Sequence, residues 1–213
     1  MTSGEPKRLW LAALALLVAF ALVSLAVGST WSPVLRLDRW LSDKAFAATY
    51  GHDGRVAAWR AVTDWGGPGP MRWLLAAAGV VAAIRRRVDV ALWLVGLAVV
   101  EGIVAPSVKD LFDRARPVWD DPITVLASTS YPSGHATAAA TAAVALALAV
   151  RRTAVTCCVV AVALGVAASR VFLGAHYLSD VVGGLLLGAL LATTSYALLR
   201  TVTPSRSPRS LPR

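Results

Sequence analysis

Six stretches of this 213-residue chain are too apolar to face water and too long to be core strands: Trp10–Val27, Met71–Ile84, Val88–Val108, His135–Val150, Ala154–Ser169 and Leu178–Leu199. A helix crossing the roughly 30 Å hydrocarbon layer needs about 20 mostly apolar residues, and within that layer every backbone N–H and C=O must be satisfied inside the segment. The pattern therefore predicts an all-α bundle of six transmembrane helices, one domain over residues 1–200, followed by a disordered basic tail over 201–213. The second and fifth stretches are short for a crossing. Pro68 and Pro70 stop the chain before the second, and Arg85, Arg86 and Arg87 end it with charges that hydrocarbon does not accept. The first stretch could be a cleaved signal peptide, but its apolar core exceeds the roughly 7–15 residues of such a segment, which favours a retained helix.

Composition agrees: 57% of the residues are hydrophobic and 15% charged, against about 25% charged in an average soluble domain. Disordered and disulfide-stapled classes are both excluded, the latter because the only cysteines, Cys157 and Cys158, are neighbours. Inside an apolar span they read as buried small residues. A net charge of +9 would suggest nucleic-acid binding in a soluble protein, but its placement argues otherwise. With the N-terminus in the cytoplasm, Lys7, Arg8, Arg85–Arg87, Arg151, Arg152, Arg200, Arg206, Arg209 and Arg213 all fall inside, and the whole excess lies on that face. No nucleic-acid partner is expected; the partner is the bilayer. The alanine- and valine-rich runs suggest a G+C-rich bacterial genome, and hence a multi-pass protein of a bacterial inner membrane with both termini cytoplasmic.

The outer side carries the longer connections. Ser32-Pro33 offers an N-cap and a proline at N1, opening an amphipathic stretch to Tyr50, and a second runs from Gly54 to Trp65. Trp31, Trp40, Trp59, Trp65, Trp73 and Trp119 fall on the same side, as expected of indoles at headgroup level. Short interfacial helices between spans 1 and 2 are thus predicted.

Three polar clusters sit at the outer span ends: Lys109 to Pro117, Tyr131 to His135, and Ser169 to Asp180. One pocket near the outer interface could collect them all. Lys109, Arg116 and Arg170 have no evident acidic partner and suit the non-bridging oxygens of a phosphate. Ser133 and Gly134 open the fourth span, where free N–H groups and the helix dipole favour an anion. His176 and Asp180 are four apart, so on a helix the carboxylate could hold one imidazole nitrogen and leave the other as a nucleophile. His135 is then free to act as a general acid.

The pattern of Lys109 with six residues to Arg116-Pro117, then Pro132-Ser133-Gly134-His135, then Ser169-Arg170 with five residues to His176 and three more to Asp180, resembles the signature motifs of the type 2 phosphatidic acid phosphatase superfamily, its integral membrane branch. That superfamily shares its catalytic helical core with haloperoxidases. The resemblance implies a metal-independent lipid phosphate phosphatase that needs no cofactor and acts on the outer face. His176 would attack phosphorus to give a phosphohistidine, Asp180 would orient it, and His135 would protonate the leaving oxygen. Lys109, Arg116, Ser133, Gly134 and Arg170 would hold the phosphoryl oxygens. The lipid phosphate expected first is undecaprenyl (polyprenyl) pyrophosphate, with phosphatidylglycerophosphate and phosphatidic acid as alternatives. A lipid phosphotransferase would use the same residues; a vanadate-dependent haloperoxidase, a non-enzymatic scaffold and a transporter are the other readings. Oligomeric state is left open.

Three further residues have plainer readings. Arg114, one turn after Asp110, fits a surface ion pair outside the catalytic core. His52 reads as a solvated loop residue. Glu101, inside the third span, is an ionisable group that either pairs with a pocket cation or is protonated, and it receives no catalytic role.

Overall fold

The computed structural model describes residues 5–203 as eight helices: α1 (Glu5–Gly28), α2 (Ser32–Thr49), α3 (Asp53–Trp65), α4 (Pro68–Ile84), α5 (Val88–Lys109), α6 (Gly134–Val150), α7 (Thr153–Phe172) and α8 (Leu178–Val202). Each expected span is matched by a helix whose ends lie within a few residues, because a change from apolar to charged or proline-rich sequence marks where the helix stops. Thr201 and Val202 still belong to α8 and Thr203 is its C-cap, so the expected tail begins later than 201; the rest of it, 204–213, lies outside the described residues. At the start of α2, Trp31 is the N-cap and Ser32 is already helical, one residue from the predicted position.

Four helices, α1, α5, α7 and α8, are long and apolar enough to cross a membrane, and α3 with α4, bent by 44° at the Gly66-Gly67 break, makes a fifth candidate. The six crossings expected from sequence are not all reproduced by this measure, since α6 has 17 residues, about 25 Å of helix. The physical reason is its position. α6 is the central helix, packed on α7, α8, α4 and α5, and ten of its residues from Ala136 to Ala149 are buried. Such a helix answers to its neighbours rather than to lipid.

Small residues set how closely the central pair approaches. A Cβ at Gly184 would meet Ser133 O at 2.5 Å, and one at Gly188 would collide with the carbonyl oxygen of Thr137. Backbone approach of this kind holds helices together where lipid removes the usual hydrophobic drive. Gly188→Ala is therefore expected to push α8 off α6 and destabilise the fold by about 1–3 kcal/mol, read as a lower thermal unfolding midpoint in detergent; an unchanged midpoint would show that the contact can relax.

The two ends of the bundle differ in charge. At one, Glu5 accepts from Arg151 at 2.6 Å and faces Arg200 at 3.8 Å, while Arg87 donates to Ala149 O at 3.1 Å. The arginine-bearing turns therefore cluster together, as the sequence implied. At the other end the C-termini of α5 and α7 meet the N-termini of α6 and α8, with α2 and α3 folded over them. Leu11, Leu14, Leu22 and Leu25 of α1 stay exposed, as a lipid-facing helix requires. Cys157 and Cys158 are also exposed, on the outward side of α7. The expectation that they are buried is corrected: an apolar span has an outer face too, and hydropathy alone does not tell the faces apart.

Candidate active site

His176 does not lie on a helix, contrary to the spacing argument; it stands two residues before α8, next to the N-cap Tyr177, and its ring is 2% exposed. Gly174 makes the turn that brings it there. Its φ is +68°, and a Cβ would meet Trp119 Nε1 at 2.5 Å and Phe46 at 2.7 Å, so both conformation and space demand glycine. Trp119 stacks on Phe46 with centroids 3.9 Å apart and donates to Gly174 O at 2.9 Å. It braces the turn rather than anchoring the chain in headgroups.

Asp180 is the N3 residue of α8, where its Oδ2 accepts the Tyr177 N–H at 2.9 Å in a capping box. The same oxygen accepts the Ser130 hydroxyl at 2.5 Å and lies 3.5 Å from His176 Nδ1, and Ser130 Oγ is 3.4 Å from that nitrogen. On the other side of the ring, the Arg116 guanidinium is 3.0 Å from Nε2. Arginine can only donate, so Nε2 presents its lone pair to Arg116 and the ring proton sits on Nδ1. Burial holds the His176 imidazolium well below the ordinary range, with a pKa of about 4, against the hydrogen bond and charge of Asp180 that favour it. At neutral pH the ring is uncharged, with its lone pair aimed at a cation.

Arg116 is fixed by four carbonyl and hydroxyl acceptors, Ser128 O at 2.6 Å, Ala175 O at 2.7 Å, Ser128 Oγ and Thr129 O at 3.1 Å. Lys109, the last residue of α5, reaches Pro132 O at 3.3 Å and Ser130 O at 3.4 Å. Arg170, 3% exposed, donates Nη1 to Thr63 Oγ1 at 2.7 Å, while its Nε is buried without a partner. Among the described residues, no ion pair within 4 Å involves these three cations, as the sequence suggested. Ser133 caps α6 and Gly134 begins it; the Ser133 hydroxyl is likewise buried and unpartnered, and its N–H donates to Asp180 O at 2.9 Å. That last bond ties the second cluster to the third. His135 and Arg170 line one cavity of about 390 Å³ with Thr63 and Asp64, and Gly67 at the α3–α4 break backs onto His135, where a Cβ would lie 3.6 Å from Nε2.

All eight sequence-derived site residues thus stand at one end of the bundle. Orphaned donors at Arg170 Nε and Ser133 Oγ, with cations at Lys109 and Arg116, describe a site for a multiply charged oxyanion. Among the described residues, no group of three or more His, Cys, Asp or Glu side chains is arranged to hold a metal ion.

The expectation for Arg114 is overturned. Instead of pairing with Asp110 on the surface, its side chain, 12% exposed, donates to Asp180 Oδ1 at 2.5 Å, Ser179 Oγ at 2.6 Å and Asp38 Oδ2 at 2.7 Å, and lies 4.6 Å over the Tyr177 ring. Burial opposes the charge, but Asp180 and Asp38 together hold the guanidinium above its ordinary pKa. Asp38 of α2 also accepts the N–H and hydroxyl of Ser179 at 2.9 and 2.5 Å. Sequence reasoning missed Asp38, Thr63 and Ser130. Only Ser130, three residues before Ser133, carried a local signal. Glu101 pairs with Arg72 of α4 at 2.7 Å, not with a pocket cation, and its Oε1 is buried without a partner. His52 is exposed, as expected.

A family model described as the PAP2 superfamily matches residues 90–204, which takes in α5 to α8 and all three clusters. The chain belongs to the PAP2 superfamily. Among solved structures, its PAP2 fold is similar to the crystal structure of the first transmembrane PAP2 type phosphatidylglycerolphosphate phosphatase from Bacillus subtilis, with a TM-score of 0.69 and 24% identity over 95% of this chain and 100% of that one. The crystal structure of Aquifex aeolicus LpxE aligns with a TM-score of 0.61 and 20% identity over 78% of this chain and 96% of that one. A search of curated proteins returns no significant sequence match. The all-helical, multi-pass fold of a PAP2 membrane lipid phosphatase is thus established for this chain.

Proposed function

We propose that this protein hydrolyses the terminal phosphate of a lipid phosphate through a phosphohistidine on His176. The observation that carries the reading is the two-sided environment of that ring, with Asp180 and Ser130 at Nδ1 and the Arg116 cation 3.0 Å from Nε2. A phosphoryl group held by Arg116, Lys109, Arg170, Ser133 and Gly134 presents its phosphorus to the Nε2 lone pair. The P–N bond forms as the P–O bond to the leaving group breaks, and His135 gives that oxygen a proton. His135 then takes a proton from water, whose oxygen attacks phosphorus and displaces His176. Charge spreading over the phosphoryl oxygens is met by fixed cations, which supply the role a divalent metal plays elsewhere.

The substrate reading follows from the placement of the site. Residues at helix ends can take a headgroup while its chain stays in the bilayer, and an apolar groove of about 450 Å³ between α3 and α7, lined by Val62, Gly66, Gly165 and Val166, lies next to the His135 side of the site. Undecaprenyl pyrophosphate is the first candidate. Phosphatidylglycerophosphate is the second, in line with the name of the Bacillus subtilis relative. The wider arrangement we propose has α4 and α6 completing six crossings, both termini cytoplasmic, and the site on the outer face of a bacterial inner membrane, supported by the arginine-rich end opposite the site.

Purified protein in detergent, with chelator present, is expected to release phosphate from undecaprenyl pyrophosphate or phosphatidylglycerophosphate. Activity that disappears with chelator would overturn the metal-independent mechanism, and transfer of phosphate to a second lipid instead of water would make the protein a phosphotransferase.

A further inference from the structure

Helix α3 presents Arg60, Thr63 and Asp64 on one face, at the i, i+3, i+4 spacing that puts side chains side by side. All three line the cavity that holds His135 and Arg170. Thr63 is 4% exposed and accepts from Arg170, so on the reading above the Thr63 end of this face is the one nearest the phosphate that Arg170 would hold. Arg60 lies one turn further along, roughly 4.5 Å of helix. Its Nη2 donates to Ile123 O at 3.0 Å, one of the five donors a guanidinium has. No ion pair within 4 Å joins it to Asp64 among the described residues, so both side chains can serve a ligand.

A cation beyond the scissile phosphate has no task in breaking its P–O bond. It can act on what that phosphate is attached to. We propose that Arg60 is a specificity-determining residue that binds a second phosphate carried by the leaving group. The assignment rests on the phosphatase reading above and narrows its substrate to lipids with two phosphates in series. A diphosphate and a glycerol-bridged phosphate diester share this chemistry. They differ at Asp64: only the glycerol bridge offers a hydroxyl that its carboxylate can accept.

The test compares kcat/KM on three lipids of matched chain length in detergent: a polyprenyl diphosphate, phosphatidylglycerophosphate, and phosphatidic acid, which has one phosphate. Arg60→Ala is expected to lower kcat/KM by about 10- to 100-fold on the two-phosphate substrates, the scale of a lost charged hydrogen bond, and to leave phosphatidic acid within about 2-fold. Arg60→Lys should recover part of the loss. A selective loss with Asp64→Asn on the glycerol-bridged lipid identifies that source; no such loss identifies the diphosphate. An equal fall on all three lipids would mean that Arg60 only holds the Ile123 segment, and no fall on any would mean that it does not touch substrate; either overturns the assignment while leaving the phosphatase reading intact. If the unaltered protein releases phosphate from none of the three, the phosphatase reading itself fails.

Discussion

His176→Ala is expected to lower phosphate release by on the order of 10⁴-fold or more, the scale on which removal of a nucleophile acts when its partners remain. No other group can replace it, because Nε2 is the ring nitrogen turned toward Arg116 while the opposite nitrogen is engaged with Asp180 and Ser130. The pH dependence separates this role from mere packing. A histidine with a pKa of about 4 stays neutral, and nucleophilic, from neutral pH down to that value. Ring NMR of the free protein should show His176 unprotonated at pH 5.5, where an ordinary imidazole at 6.5 is mostly cationic. Stability follows the same sign. The unfolded chain binds this proton at 6.5 and the folded one only near 4, so the contribution is present above about 6.5 and is lost as pH falls toward 4. A ring that titrates near 6.5 in the folded protein would contradict the burial argument, and full activity in His176→Ala would end the phosphohistidine mechanism.

Why these features could be read from sequence, and others not, depends on how far along the chain each cause extends. The bilayer acts on every residue of a span at once, so the ends of α5 and α8 were visible in hydropathy and charge alone. The residues proposed to bind phosphate were legible because each cluster is short and its chemistry is carried within it: Ser133-Gly134-His135 opens a helix, and Arg170 and His176 flank one turn. The positioning residues were not, because their partners lie far away. Asp38 stands in Arg36-Leu37-Asp38-Arg39 of an amphipathic helix and looks like a solvated charge; its 2% exposure results from α2 packing against α7 and α8, 141 residues from Ser179. Thr63 meets Arg170 from 107 residues away. Arg114 was misassigned for the same reason, since an acid one turn earlier was a nearer partner on paper than Asp180, 66 residues on. His176 and Asp180 were rightly paired by a spacing argument whose helix does not extend to His176.

Arg114→Ala is expected to have the second-largest effect, and through two carboxylates rather than one. Its guanidinium spans Asp180, which is fully buried, and Asp38, which is 2% exposed. Removing it leaves two buried anions facing each other across the space it filled. Breaking a single buried pair by deleting one partner costs roughly 3–5 kcal/mol, so the thermal unfolding midpoint in detergent should fall by many degrees. Activity should fall as well, since Asp180 loses the donor on Oδ1 that keeps Oδ2 directed at Ser130 and His176. Arg114→Lys should rescue little, because a single ammonium group lacks the planar fork that reaches both acids and Ser179 at once. The comparison with Asp38→Asn separates the two roles: that change keeps the shape of α2 and removes one anion, so in the Arg114→Ala background it should recover stability without restoring phosphate release. If activity returns together with stability, Arg114 serves only to hold α2 on the bundle; if stability returns alone, its contact with Asp180 is what aligns His176.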